Sequence, residues 1–240
     1  MGIPGVAELP EFVRLVSHPL RWRLVVELAR SDLRVRELVT SVDEPQNLVS
    51  YHLRLLRDGG LVASRRSSFD ARDSYYHLDL ARCAEALASV GTALHPALRM
   101  APVPDESPRR SSVLFVCSGN SARSPIAEAL LRHWAGNGVR VKSAGTLAKD
   151  RIHPHAVRVL REHYDIDIEG RTPRQLDAAR GRPFDRLVTL CDKAREVLPD
   201  TDHPLRIHWS IADPTNYSSF VSTAAEIDTR VHHLLPSLST

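Results

Sequence analysis

The chain has 240 residues, of which 42% are hydrophobic and 25% charged, and its formal net charge is +3. This length is enough for one or two domains with cores of their own, and no apolar run approaches the ~18 residues of a membrane-spanning helix. The composition predicts a soluble cytoplasmic protein without a signal peptide, and the charge is too small to identify a polyanionic partner. The three cysteines predict thiol chemistry in a reducing compartment rather than a disulfide framework.

Residues 11–62 have the apolar spacing of a series of short amphipathic helices. The helix predicted at 46–57 ends at a Gly-Gly pair, and most of its polar side chains fall on one side. Its apolar side is predicted to consist of Leu48, Val49, Leu53 and Leu56. Two β-like runs follow, at 61–65 and 74–78, around a tip that is rich in arginine.

Helices that are followed by a polar-faced helix and a basic hairpin predict an α+β winged helix-turn-helix. The helix at 46–57 would enter the major groove of DNA, where its short polar residues read base edges while the arginines contact phosphates. The residues predicted to contact DNA are Gln46, Asn47, Ser50, Tyr51, Arg54, Arg65 and Arg66. The alternative is an amphipathic helical module whose polar face is merely solvated.

Residues 50–61 and the tyrosine pair at 75–76 resemble the ArsR-type repressor family, and the resemblance covers about residues 8–98. It implies double-stranded DNA as a partner and a homodimer formed in part by the helix at 80–98. Many members of that family sense metalloids through cysteines in the helix before the recognition helix. Residues 34–39 contain no cysteine, so arsenite sensing is not predicted there.

The sequence predicts two domains joined by a linker. Three prolines among charged and small residues predict a linker at 99–112, since such a stretch cannot build a core. The winged helix-turn-helix would then occupy 1–98 and a second domain 113–240. Cys83 is interpreted as a core residue of the first domain, and no metal site is predicted.

The loop from Cys117 to Ser124 carries the clearest chemical pattern, since it lies between an apolar run at 113–116 and a helical stretch that starts near Pro125. Backbone N–H groups converge at such a strand-to-helix turn, and the helix dipole favours an anion there. Arg123 adds a planar fork of donors that matches phosphate or arsenate. The same field favours the thiolate of Cys117 as a nucleophile, while Ser124 is predicted to cap the helix and offer its hydroxyl to the sulfur. The predicted oxyanion-binding residues are Ser118, Gly119, Asn120, Ser121, Ala122 and Arg123.

Strands and helices alternate in the second half, with helices predicted at 153–164 and 217–235. This alternation predicts an α/β domain, in which a four-stranded parallel sheet has helices on both faces and carries the phosphate-binding loop. Ligands bind beyond the carboxyl ends of such strands, and Cys117, Cys191 and Asp213 each follow a strand. The predicted strands lie at 113–116, 139–143, 186–191 and 205–209.

Residues 113–133, 143–146 and 213–214 resemble the low-molecular-weight tyrosine phosphatase superfamily, which includes the thioredoxin-type arsenate reductases. The resemblance covers about residues 111–240. It implies that Cys117 is the nucleophile and that the aspartate of the Asp-Pro pair is a general acid. It also implies loop-supporting roles, and in some reductases a potassium ion, for Asn120, Glu128 and Ser143.

Cys191 resembles the second cysteine of the reductases, which attacks the cysteine–arsenic adduct so that arsenite leaves and a disulfide forms. The alternative for Cys191 is a buried strand cysteine without chemistry. Leu198 stands where thioredoxin-linked reductases have a third cysteine, and Ala122 where many phosphatases have a second one. Residues 215–216, Thr-Asn, follow the Asp-Pro pair where phosphatases usually have an aromatic residue, which weakens specificity for tyrosine esters.

Together these patterns predict a transcriptional regulator fused to a cysteine-dependent arsenate reductase. The alternatives are a low-molecular-weight protein tyrosine phosphatase and a non-catalytic regulator that senses an oxyanion. The reductase would need no bound cofactor and would take its electrons from thioredoxin, glutaredoxin or a small thiol. The predicted catalytic residues are Cys117, Arg123, Ser124, Cys191 and Asp213.

Overall fold

The computed structural model of the chain describes residues 9–95, 98, 111–179, 183–199 and 206–238. The chain divides into two compact units, and residues 9–66 and 72–95 belong to the first of them. The described residues from 111 onward belong to the second. Among the described residues, no helix is long and apolar enough to cross a membrane.

The first unit combines helices with a small antiparallel sheet in the strand order β1-β3-β2. Its elements are α1 (Glu11–Val16), α2 (Pro19–Arg30), β1 (Leu33–Arg34), α3 (Val35–Val42), α4 (Gln46–Asp58), β2 (Val62–Arg66), β3 (Ser74–Leu78) and α5 (Leu80–Leu94). Leu24, Leu38 and Leu53, one from each of α2, α3 and α4, are fully buried in a shared core. This order of helices and hairpin is the one that the sequence predicted.

The apolar side of α4 differs from the predicted side by one residue. Leu48 is 37% exposed and does not belong to the core, so its predicted place was wrong. His52 is buried instead, together with Val49, Leu53 and Leu56. The buried positions follow the helical spacing of three and four residues from Val49, and this spacing places Leu48 at the edge of the stripe.

Cys83 on α5 is buried, as predicted. Burial raises the pKa of its thiol to about 11, and the charge of Asp79 acts in the same direction. A thiol in such surroundings is almost wholly protonated at neutral pH and behaves as a small apolar side chain.

The second unit is built on a parallel sheet in the strand order β5-β4-β6-β7. Its elements are β4 (Ser111–Cys117), α6 (Arg123–Ala135), β5 (Val139–Gly145), α7 (Pro154–Tyr164), α8 (Leu176–Ala179), β6 (Arg186–Thr189), α9 (Asp192–Val197), β7 (Arg206–His208) and α10 (Tyr217–Leu234). Residues 112–117 of β4 are buried without alternation. Continuous burial of this kind means that both faces of the sheet are covered, which confirms the predicted α/β architecture.

The strand order places the end of β4 at a topological switch point. β4 pairs with β5 on one side and with β6 on the other. The chain therefore adds its next strand on one side of β4 and the following two on the opposite side. In open α/β sheets a crevice forms where the order reverses, outside the carboxyl ends of the strands. Cys117 is the last residue of β4, so the fold alone places it at this crevice.

The start of β4 corrects one predicted boundary. Ser111 and Ser112 were assigned to the linker but are the first residues of the strand. The backbone N–H and the hydroxyl of Ser112 both donate to Asp185 Oδ2, each at 2.7 Å, and these bonds satisfy the polar groups at the strand end. Residues 99–110 lie outside the described residues, so the rest of the linker remains a prediction.

Candidate active site and DNA-facing helix

The loop between β4 and α6 is shaped by backbone hydrogen bonds along its outer side. The carbonyl oxygens of Cys117, Ser118, Gly119 and Ser121 accept from N–H groups of the segment 146–153, at 2.8 to 3.1 Å. In a trans peptide the N–H of the next residue points opposite to the carbonyl. Each of these bonds therefore directs an amide N–H toward the inner side of the loop, and such a set of donors is suited to an anion. These inward donors belong to Ser118, Gly119, Asn120 and Ala122.

Asn120 fixes the turn of the loop. Its backbone is in the left-handed region, with φ 45°, which asparagine tolerates better than most residues. Its Nδ2 donates to Ser124 Oγ and to Ser143 Oγ, both at 2.9 Å. Its Oδ1 accepts from the backbone N–H of Arg174 at 2.7 Å. Because the side chain is held by three parts of the chain, the unusual backbone conformation is held as well.

Ser124 lies against the sulfur of Cys117, with 3.0 Å between Oγ and Sγ. Since Asn120 already donates to this oxygen, the hydroxyl proton of Ser124 can go to the sulfur or to the carbonyl oxygen of Ala144, which lies farther away at 3.4 Å. The predicted helix cap was wrong. Helix α6 begins at Arg123 after Ala122, which provides no side-chain cap, so Ser124 lies within the first turn.

The guanidinium of Arg123 is buried, and one of its three nitrogens has no partner among the described residues. Its NH1 donates to the carbonyl of Ile211 at 2.9 Å, and its NH2 forms an ion pair with Asp213 Oδ1 at 2.8 Å. The Nε is buried and has no hydrogen-bond partner among the described residues. A buried donor without a partner is costly, so this nitrogen is suited to an incoming anion. The side chain of Asp213 is 72% exposed and stands at the outer end of this pair.

Cys191 is buried beside the loop. Burial raises the pKa of its thiol, the charge of Arg123 opposes the rise, and the charge of Cys117 adds to it. Backbone N–H groups of Ala194 and Ser118 also favour the thiolate form of Cys191. Ser118, Arg123 and Cys117 of the loop therefore all affect the pKa of the Cys191 thiol. At the level of sequence, only the family resemblance indicated that Cys191 is associated with the loop.

Glu128 on α6 forms a buried centre behind the loop. Its carboxylate accepts from Ser143 Oγ at 2.6 Å and forms ion pairs with Arg132, Arg171 and Arg174 at 2.7 to 3.6 Å. Three guanidinium groups already neutralise this carboxylate, so the site does not fit a potassium ion. In the described part of the chain no group of three or more His, Cys, Asp and Glu side chains could hold a metal ion.

The residues predicted to contact DNA lie on the first unit, mostly on the face of α4 that is opposite the core. The five that belong to α4 are all exposed: Gln46, Asn47, Ser50, Tyr51 and Arg54. The guanidinium of Arg54 lies over the ring of Tyr51, 5.6 Å from its centroid. Arg65 and Arg66 belong to the hairpin strand β2, where Arg66 is exposed and Arg65 half-buried.

Comparison with known families agrees with both units. The sequence model for the low molecular weight phosphotyrosine protein phosphatases matches residues 112–240, which is more than half of the chain. The chain belongs to this family. A second match, to the arsR family of bacterial regulatory proteins, covers residues 18–64. The chain therefore joins an ArsR-type helix-turn-helix to a domain of the low molecular weight phosphatase family.

The phosphatase-family domain is similar to curated arsenate reductases. The arsenate reductase of Brevibacillus brevis is 37% identical over 125 residues, which are 51% of this chain and 92% of that protein. Arsenate reductase 1 of Bacillus cereus is 36% identical over the same shares. A solved arsenate reductase from Archaeoglobus fulgidus is 33% identical and covers 52% of this chain and 98% of its own, with a TM-score of 0.46.

Some residues around the family's loop were missed at the level of sequence. Arg174 holds Asn120 through its backbone and Glu128 through its side chain. His153 donates its N–H to Ser121, and Lys149 donates its own to Gly119. No spacing relative to the loop marks these residues, because the chain brings them there by tertiary folding. The one local signal was the His-Pro pair at the start of α7, where His153 Nδ1 accepts from the N–H of His155.

Gly145 supports the loop from behind. It pairs with Cys117 in the sheet, and a Cβ on it would lie 2.8 Å from the carbonyl oxygen of Ser118 and 2.9 Å from the N–H nitrogen of Asn120. Both atoms belong to the backbone and cannot move without a change in the loop. Only glycine fits this position.

We expect Gly145→Ala to lower the free energy of unfolding by about 1–3 kcal/mol, as overpacking does, and to weaken phosphate binding. Phosphate affinity by calorimetry and chemical denaturation measure the two effects. Gly136→Ala is the control, because Gly136 has φ 56° but nothing within 4 Å of its Cβ position, so the strain arises away from the loop. Phosphate affinity that falls equally in both variants would contradict the steric explanation.

Proposed function

We propose that this chain is a DNA-binding regulator fused to a cysteine-dependent arsenate reductase. The observation that carries the proposal is the position of Cys191. It follows β6, which pairs with β4, and its sulfur accepts from the N–H of Ala194 at 3.4 Å, while Ser118, Arg123 and the charge of Cys117 all affect the pKa of its thiol. A hydrolase of this family has no evident need for a second thiol at the loop, whereas reduction of arsenate requires two electrons from a pair of thiols. The arsenate reductases among the similar proteins support the same reading.

In the first step arsenate occupies the loop, bound by the inward N–H groups and by Nε of Arg123. The Cys117 thiolate, stabilised by the Ser124 hydroxyl, forms a bond to arsenic. One arsenate oxygen then leaves as water after it takes up a proton. Asp213 is the proposed donor, because its carboxyl group lies next to Arg123, which would bind the anion, and its side chain is exposed to solvent from which a proton can come.

In the second step the thiolate of Cys191 attacks the sulfur of Cys117. The electron pair of the sulfur–arsenic bond moves to arsenic, which passes from the pentavalent to the trivalent state and leaves as arsenite. A disulfide between the two cysteines remains. Leu198 is buried where related reductases have a third cysteine, so we propose that thioredoxin, glutaredoxin or a small thiol reduces this disulfide directly.

A phosphatase is the alternative, because the loop, Arg123 and Asp213 would also serve hydrolysis of a phosphate ester, and the family model is that of phosphatases. Two contacts of Tyr217 weaken the case for specificity toward an aromatic ester. The hydroxyl of Tyr217 is bound by Glu162 on α7, and the guanidinium of Arg158 lies 4.1 Å from its ring centroid. This aromatic side chain therefore already has partners on α7. A third candidate, an oxyanion-sensing regulator without turnover, would use the same loop only to bind.

For the first unit we propose binding of double-stranded DNA by the exposed face of α4 together with β2. We also propose that it forms a homodimer through α5, whose Leu87 and Leu94 are 43% and 72% exposed. Three free thiols suit a reducing compartment such as the cytoplasm.

We expect Cys191→Ser to lose arsenite turnover while hydrolysis of an aryl phosphate remains nearly unchanged, because only reduction needs the second thiol. Cys117→Ser should lose both activities, since both need the nucleophile. Arsenite release with a thioredoxin system and phenolate release measure the two reactions in parallel. The control is Cys83→Ser, which changes a buried cysteine in the other unit and should leave both rates intact. Arsenite turnover by Cys191→Ser would overturn the reductase mechanism.

The raised pKa of Cys191 predicts a pH dependence of the second step. Below the pKa of a thiol its thiolate fraction grows about tenfold per pH unit, so single-turnover arsenite release should become faster from pH 6 to pH 8.5. The hydrolysis of an aryl phosphate, which does not use Cys191, gives the pH profile of the shared steps. A ratio of the two rates that stays flat or falls with pH would be inconsistent with attack by Cys191.

Arg54→Ala should weaken binding of operator DNA and reduce the slope of log affinity against log salt by about 0.9, the value for one lost phosphate contact. Fluorescence anisotropy at several salt concentrations measures both quantities. Arg30→Ala removes another exposed arginine, from α2, and serves as the control for net charge. An unchanged slope for Arg54→Ala would count against α4 as the groove-binding helix.

A further inference from the structure

A lysine side chain lies along the catalytic loop, outside the set of residues assigned above. The backbone N–H of Lys149 donates to the carbonyl of Gly119 at 2.9 Å. Its Cγ, Cε and Cδ lie 3.3, 3.4 and 3.5 Å from the point that a Cβ on Gly119 would occupy. The stem of Lys149 therefore runs across Gly119, and its ammonium, one bond beyond Cε, stands close to the loop.

Lys149 and the proposed acid Asp213 both affect the pKa of His153. Burial lowers the pKa of His153, the charges of His155 and Lys149 add to this effect, and the charge of Asp213 opposes it. Asp213 is in turn bound to Arg123. Lys149 and Asp213 thus both act on the imidazole of His153, and the backbone N–H of the same residue donates to the carbonyl of Ser121 in the loop.

Lysine is rare in this chain, and Lys149 differs in its chemistry from the arginines that supply most of the positive charge. Only Lys142, Lys149 and Lys193 are lysines among 32 basic residues of the Lys and Arg types. A lysine ammonium is a compact, strongly hydrated charge on a flexible stem, whereas a guanidinium is a flat fork. Such a side chain can form a hydrogen bond with the outer oxygen of a bound anion, while Arg123 and the backbone amides bind the inner oxygens.

We propose that Lys149 is a specificity-determining residue that selects a free inorganic oxyanion over a phosphate ester. In free arsenate or phosphate the outer oxygen is a hydroxyl or a charged oxygen, and the ammonium can bind it directly. In an ester the same oxygen carries an organic group, which would displace water from the ammonium without replacing its hydrogen bonds. The inference rests on the oxyanion-binding part of the proposed function and does not require turnover.

The test compares the affinities of the full-length protein and its Lys149→Met variant for arsenate, inorganic phosphate and phenylphosphonate, which cannot be hydrolysed. We expect arsenate and phosphate to bind about three- to tenfold more weakly to the variant, with little change for phenylphosphonate. The difference should shrink at high salt, because Lys149 is exposed and its charge is screened. Lys149→Arg should restore part of the affinity, and Lys142→Met, from the middle of β5, should have no effect.

The His153 imidazole gives a second readout that a general loss of structure would not produce. Removal of the Lys149 charge should raise the pKa of His153, measured by NMR titration, while the fold remains intact. Equal weakening for all three ligands, or no weakening for any of them, would overturn the proposed selection. If the selection is found but the wild-type protein forms no arsenite, the reductase proposal fails and the role of Lys149 stands.

Discussion

The second unit depends on a set of backbone hydrogen bonds that hold the carbonyl groups of one loop outward. Because a peptide unit is planar, each carbonyl that the segment 146–153 binds directs an N–H inward. The proposed anion site would therefore be formed mainly by the main chain, and side chains would complete it. Asn120 keeps the turn in its unusual conformation, and Gly145 leaves room for the loop to lie against β5. The strand order then places this loop at the crevice of the sheet.

The two thiols at this crevice have different environments, and in the proposed reaction this difference sets the order of the two steps. Both cysteines are buried, but Cys117 has a hydroxyl at its sulfur, whereas Cys191 faces the negative charge of Cys117. Once Cys117 is bound to arsenic, its sulfur no longer carries that charge, and one cause of the raised pKa of Cys191 is removed. Arg123 and the N–H of Ser118 then favour the second thiolate. The first step would thus prepare the nucleophile of the second.

The sequence predicted those features of the fold that depend on residues close together in the chain. The run before Cys117 is a buried strand, as predicted. The spacing to Arg123 predicted an anion loop, and the loop there has outward carbonyl groups, while anion binding itself stays a prediction. The cap assigned to Ser124 was wrong because the helix starts at Arg123, two residues before the start at Pro125 that a Ser124 cap would require. Leu48 was misplaced because a histidine, normally polar, fills the stripe. Lys149 and Arg174 could not be found, since their contacts with the loop arise only when distant segments fold together.

The carboxylate of Glu128 is the common counter-charge of three arginines, so we expect substitution of an arginine and substitution of the glutamate to have different effects. Three arginines converge on one buried glutamate. After substitution of any single arginine, two others still neutralise the glutamate, so each arginine position should tolerate substitution. Exchange of the glutamate would instead leave several like charges together and would release Ser143 from its acceptor. Natural variation should therefore accumulate on the basic side of this cluster while its acidic centre stays fixed.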